Sequence, residues 1–112
     1  MLRIRDAQVQ AFEREMVRAF ARRVVDRFQA DHPGGAASPA ALQEQALDAI
    51  TAAEALGIRA ELDIYLYAEQ RLLHGADFEK RSGFEPVREI LRDGRASWSV
   101  RLRRLQAWGR AR

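Results

Sequence analysis

Gly57-Ile58-Arg59-Ala60-Glu61-Leu62-Asp63-Ile64-Tyr65-Leu66-Tyr67-Ala68-Glu69-Gln70-Arg71-Leu72-Leu73-His74-Gly75-Ala76-Asp77-Phe78 reads as a single helix set between two glycines, and its apolar arc is wide. At about 100° per residue, Leu62, Ile64, Tyr65, Leu66, Ala68, Leu72 and Leu73 spread over more than half of the circumference. That is the pattern of a helix touched by solvent on one side only. Asp63, Tyr67, Gln70 and His74 share the other face. The segment is expected at the centre of the fold, with Leu66 in the core. Glu69 falls between Leu62, Leu66 and Leu73 inside the apolar arc. A carboxylate buried there alone would be costly or would take up a proton. It requires either an ion pair with an arginine of another helix or a partner that completes that face.

On the N-terminal side, Ser38-Pro39 starts a second helix, with serine as N-cap and proline at the first helical position, where its missing N–H costs nothing. Leu42, Ala46, Ala49, Ile50, Ala53 and Leu56 form its buried stripe, and Gly57 closes it in the left-handed conformation. Pro33, Gly34 and Gly35 end a long first helix that starts from Asp6 as N-cap. Val9, Phe12, Met16, Phe20, Val24 and Phe28 line that helix, with Phe20 expected in the core. Five of these residues recur every fourth position. The stripe therefore slants by about 40° per step against a 3.6-residue turn and cannot face one fixed partner. Arg14, Glu15, Arg18 and Arg22 lie on its opposite, solvated side.

On the C-terminal side, Phe84-Glu85-Pro86-Val87 opens a short helix that runs through Ile90 and Leu91 to Asp93-Gly94. Ser97 caps a last helix with Trp98, Leu102 and Leu105 on one side. Residues beyond Leu105 are expected to be dispensable for folding. The fold class is all-α: one domain over 1–112, a bundle of about five helices with a long N-terminal helix and a buried central helix.

A chain of 112 residues without cysteine is long enough for a single core and has no disulfide or thiolate metal site, which suits a reducing compartment. The charged opening Met1-Leu2-Arg3-Ile4-Arg5-Asp6 is unlike a signal peptide, and no long apolar run suggests a membrane span, so a cytoplasmic protein is expected. The net charge of +3 divides as +2 over residues 1–31, −5 over 32–87 and +6 over 88–112. Arg101, Arg103, Arg104, Arg110 and Arg112 make the tail basic, a cluster that can meet phosphate or an acidic protein. All the basic residues except Lys80 are arginine, as a GC-rich genome would also produce, and a solvated terminal face is preferred to a nucleic-acid site.

Catalytic groupings are not found. His32 and His74 are far apart, and neither has a second ligand at helical spacing; His74 reads as a helix C-terminal residue facing the dipole. Gly34-Gly35 lacks the lysine and strand of a phosphate loop. Glu61 and Asp63 point about 200° apart on a helix. No enzymatic activity, metal or cofactor is expected. Asp63, Tyr67 and Gln70 are the candidate protein-binding residues, because a tyrosine on a polar helix face supplies rigid apolar area with a hydrogen-bonding tip. The alternative places Tyr67 against the 75–83 loop or the tail. In that case Phe12 or Phe28, at the ends of the first helix's stripe, becomes the better candidate face.

Met1-Leu2-Arg3-Ile4-Arg5 with Gln8 and Phe12, Gly57-Ile58 with Glu61 and Asp63-Ile64, Gly75 with Asp77-Phe78, Val87-Arg88-Glu89-Ile90-Leu91, and Arg101-Leu102 with Arg104-Leu105 occur in that order. In this the chain resembles a family of small helical proteins encoded beside spike, PAAR-repeat and toxin genes of bacterial type VI secretion systems. Arg59 departs from the pattern, standing where a threonine or serine would cap the central helix, and the Ser82-Gly83-Phe84 connection is irregular. The resemblance implies a non-catalytic accessory protein that binds a secreted effector or its spike as adaptor, chaperone or co-chaperone, and it assigns no functional residue. The alternatives are an immunity protein that blocks a toxin and, behind it, a basic nucleic-acid-binding module. Whether a homodimer buries part of the first helix stays open.

Overall fold

A computed structural model of the chain describes residues 2–35 and 37–111, with side chains for all of these except residues 2–10 and 12. The described chain is all-α: α1 (Leu2–Asp31), α2 (Pro39–Ala55), α3 (Glu61–His74), a 3-10 turn (Phe78–Lys80), α4 (Glu85–Arg92) and α5 (Trp98–Arg110). Its contacts cluster into two compact units, Met1–Leu47 and Asp48–Arg112, which divide within the uninterrupted α2.

The first unit holds α1 and the start of α2. Helix α1 begins at Leu2, so Asp6 lies inside the helix and is not its cap. Among its described side chains, Ala21, Val24, Val25 and Phe28 are buried, spaced i, i+3, i+4 and i+7, whereas Met16 is 57 % exposed and Phe20 only half-buried. Residues four apart drift round the helix, so one packed face cannot accept the whole stripe; it takes two turns and leaves Met16 in solvent. The side chains of Val9 and Phe12 lie outside the described residues. Gln43 Nε2 donates to the Arg18 carbonyl at 3.3 Å, joining α2 to α1. Ser38 Oγ accepts from the Ala41 N–H at 3.2 Å, the N-cap expected for α2.

The second unit starts in α2, where Ala49, Ile50 and Ala53 are buried. Beyond its last turn, the Ile58 N–H bonds Ala53 O at 3.1 Å and the Gly57 N–H bonds Glu54 O at 3.0 Å. With Gly57 at φ +93°, this is a Schellman motif, and Ile58 and Ala53, at the two positions where the motif favours apolar residues, are both fully buried. Leu56 is 42 % exposed rather than buried, because it lies just past the last helical residue and the chain turns away there.

Helix α3 is buried at eight consecutive residues, Asp63 to Gln70. Eight residues exceed two turns, so the middle of α3 is enclosed on every side, while Leu62 and Leu73 at its ends are 47 % and 42 % exposed. Burial therefore follows position along the axis more than the apolar arc. Leu66 is core at 4 % exposure, and Glu69 is also buried, where it is not left without a polar partner. Helix α5 packs on α3 and α4, with Leu102 and Leu105 fully buried. Ser97 Oγ caps α5 by accepting from the Val100 N–H at 3.3 Å. Pro86 sits in the first turn of α4, as its fixed φ favours. There the Glu85 carboxylate is held below its ordinary range by its own backbone N–H and that of Gly83.

Four arginines bond the carbonyls at the C-terminal ends of the elements before them. Arg59 Nη1 donates to Glu54 O (3.0 Å) at the end of α2, and Arg81 Nη1 to His74 O (2.7 Å) at the end of α3. Arg88 Nη1 donates to Glu79 O (2.6 Å) in the 3-10 turn, and Arg101 Nη1 to Leu91 O (3.1 Å) in α4. Those carbonyls lack intrahelical donors and carry the negative end of the helix dipole, which a permanently charged multi-donor group suits. Arg59, out of place as a cap for α3, serves the end of α2 instead.

Candidate functional site

Asp63, Tyr67 and Gln70 share one face of α3, at spacing i, i+4 and i+7, but that face is internal: they are 7 %, 2 % and 2 % exposed. Asp63 Oδ2 accepts from Ser99 Oγ of α5 at 3.0 Å, and the Tyr67 hydroxyl donates to Glu79 Oε1 at 2.5 Å. Burial first, and then the bond to the anionic Glu79, push the Tyr67 phenol up to about 12. Gln70 faces Gly109 of α5. A Cβ added at Gly109 would stand 2.5 Å from Gln70 Oε1, a buried oxygen that accepts no hydrogen bond. The three residues thus form a polar seam between α3, α5 and the 3-10 turn and do not present an outward binding face. A polar set on one helical face reads the same in sequence whether water or a neighbouring helix completes it. Tyr67 packs instead on the 75–83 loop, its ring 6.0 Å from that of Phe78.

His74 ends α3, as expected, and its ring joins an aromatic cluster. It lies edge-on to Phe84 (5.3 Å) and Trp108 (6.2 Å), while Phe84 and Trp108 are 5.1 Å apart. Fully buried Phe78 completes the group. Neither Phe78 nor Trp108 falls on an apolar stripe of the sequence pattern. The available signal was an aromatic residue in a short segment between Gly75 and Gly83, where a large ring has no reason to stay in water. The chain beyond Leu105, expected to be dispensable for folding, is packed at Trp108 and Gly109.

The basic tail is divided among several tasks. Arg101 lies 4.1 Å over the Trp98 ring and bonds two carbonyls, Ala96 O at 2.8 Å and Leu91 O at 3.1 Å. Arg104 pairs with Asp93 at 3.1 Å. Arg103 and Arg110 are exposed, and Arg112 lies outside the described residues. Of the alternative candidates on α1, Phe28 is buried at 9 % exposure with its ring tilted against that of His32 at 4.8 Å, while Phe12 lies outside the described side chains.

An open hollow at the α2–α3 junction is lined by Thr51, Glu54, Ile58, Arg59 and Ile64, and its arginine is occupied with the Glu54 carbonyl. Among the described residues, no three His, Asp or Glu side chains gather where a metal ion could be held. None of the described helices is long and apolar enough to cross a membrane. No protein-family model, curated protein or solved structure matches the chain.

Proposed function

We propose that the chain is a non-catalytic accessory protein that binds a secreted type VI effector or its spike component, as adaptor, chaperone or co-chaperone. The observation that carries the reading is where the polar groups go. In the second unit Asp63, Tyr67, Arg59, Arg81, Arg88 and Arg101 hold helices and turns together. The first unit offers an open groove with apolar and charged lining. Small-molecule sites enclose their ligand with a few convergent polar groups, whereas a shallow groove of mixed character suits a segment of another protein. The partner class rests on the resemblance of the ordered residues to proteins encoded beside spike and toxin genes.

The test is a pull-down of the full chain from its native host, with the bound protein identified, followed by co-expression of the two. Greater solubility or loading of the effector, without rescue of growth from its toxicity, supports the chaperone role. Rescue of growth would instead make the chain an immunity protein. Recovery of nucleic acid with steeply salt-dependent affinity would replace the proposal.

A further inference from the structure

The groove of the first unit runs along α1 and the start of α2. Arg18 and Leu47 line both of its hollows, so the two adjoin end to end along a trough. On α1 it extends from Glu13 to Gln29, a length of about 24 Å at 1.5 Å per residue. Val17 and Leu47, half-buried, and buried Val25 give it an apolar floor. Arg14, Arg18 and Arg22 stand along the α1 wall, all exposed. Among the described residues their guanidinium groups make no ion pair or hydrogen bond. Spaced by four, they form one of the ridges along which helices commonly pack.

We propose that this groove docks an amphipathic helix of a protein partner, one that carries acidic side chains at i, i+4 spacing on the flank facing Arg14, Arg18 and Arg22. Three guanidinium groups about 6 Å apart along a helix axis match a row of carboxylates, each able to take two parallel N–H bonds. The apolar floor takes the hydrophobic stripe between the charges. Acidic Glu13 stands at one end of the trough, and Asp26 and Glu44 near the other. A continuous polyanion such as nucleic acid would meet repulsion there, whereas a helix with basic residues at its ends finds partners at all three. The charge order along the groove thus selects a discrete acidic helix over a phosphate backbone.

This inference rests on the protein-binding reading above and can fail separately from it. Two fluorescent helical peptides of about 17 residues, long enough to span the trough, share one apolar stripe and differ only in carrying Glu or Lys at the flanking positions. Each is titrated against the full-length protein, and backbone amide shifts locate the site. The Glu peptide is expected to bind at least about tenfold more tightly, because three exposed pairs add for Glu while like charges juxtaposed with the arginines penalise Lys. Its shifts should fall in α1 and the first half of α2. The variant Arg14→Glu/Arg18→Glu/Arg22→Glu should reverse the preference with an unchanged helical spectrum, and Arg103→Glu/Arg110→Glu on α5 should leave it intact. If the triple variant does not fold, Arg18→Gln replaces it and should weaken the Glu peptide at least threefold. Equal affinities, no binding of either peptide at millimolar concentration, shifts mapping elsewhere, or stronger binding of a DNA duplex would overturn the assignment. Self-association abolished by the triple variant would also overturn it, giving the groove to α2 of a second copy, whose Glu44 and Asp48 are exposed at i, i+4. Should a pulled-down partner bind the triple variant unchanged, the groove fails and the accessory role stands. Should the Glu peptide bind where no protein partner is recovered, the reverse holds.

Discussion

Tyr67 is a phenol held neutral by burial and by donating to Glu79. Its value rises from 10.0 in the unfolded chain to about 12 in the fold. A raised value means that the unfolded state releases the proton first, so stability is fully present below pH 10 and falls as pH rises through the 10–12 window. Urea melts at pH 9 and pH 11.5 should therefore show the parent losing stability relative to Tyr67→Phe, by about 2 kcal/mol; parallel losses in both proteins would refute the internal placement of Tyr67. Gly109 makes a second point of this kind. Alanine there would gain about 1 kcal/mol of helix propensity, yet its Cβ would stand 2.5 Å from Gln70 Oε1. Gly109→Ala is expected to destabilise by about 1–2 kcal/mol net through overpacking, and in a Gln70→Ala background the same change should become neutral or stabilising. A double-mutant cycle by thermal unfolding checks the reversal of sign.

Local devices of three kinds delimit the helices after α1. Ser38 and Ser97 cap the N-termini of α2 and α5, Gly57 closes α2, and arginines take up the carbonyls at the ends of α2, α3, the 3-10 turn and α4. The serines and the glycine were legible in the sequence, because their partners lie within three or four residues. The arginine bonds were not, because an arginine 5 to 10 residues past a carbonyl reaches it only after the chain has turned back. An abundance of arginine that resembles genomic bias is here partly structural. Arg101→Ala, losing two carbonyl bonds and the Trp98 stack, should cost about 2–3 kcal/mol. Arg101→Lys should recover less than half of that, since one ammonium cannot span both carbonyls. Arg103→Ala, exposed, should stay within about 0.5 kcal/mol of the parent. Urea unfolding of the three variants orders them.

Within the second unit, α3, α5 and the 3-10 turn are held by apolar packing, by the seam of Asp63, Tyr67 and Gln70, and by the His74, Phe78, Phe84 and Trp108 rings. Ending the chain at Leu105 removes Trp108 from that cluster and the last turns of α5 from α3. Such a truncation is expected to lose the cooperative melt, and Trp108→Ala to lower stability by about 2–4 kcal/mol, somewhat less than a fully buried ring because Trp108 is half-exposed. Leu66→Ala should cost about 2–5 kcal/mol, and Phe20→Ala less, in line with their burial. A truncated chain that melts like the parent would show that the tail packs without contributing.

By itself the sequence determined the all-α class, the order of the helices, the caps at Ser38 and Ser97, the stop at Gly57 and the central place of α3, because periodicity and capping are set by residues within a turn of one another. Tertiary structure alone decided which faces meet. Asp63, Tyr67 and Gln70 look like an exposed polar face until α5 and the 3-10 turn cover them. Arg14, Arg18 and Arg22 look like an ordinary solvated face until the start of α2 makes them the wall of a groove. A helical wheel records direction around one axis, and whether a direction ends in water, in a ring or in a carboxylate depends on residues tens of positions away.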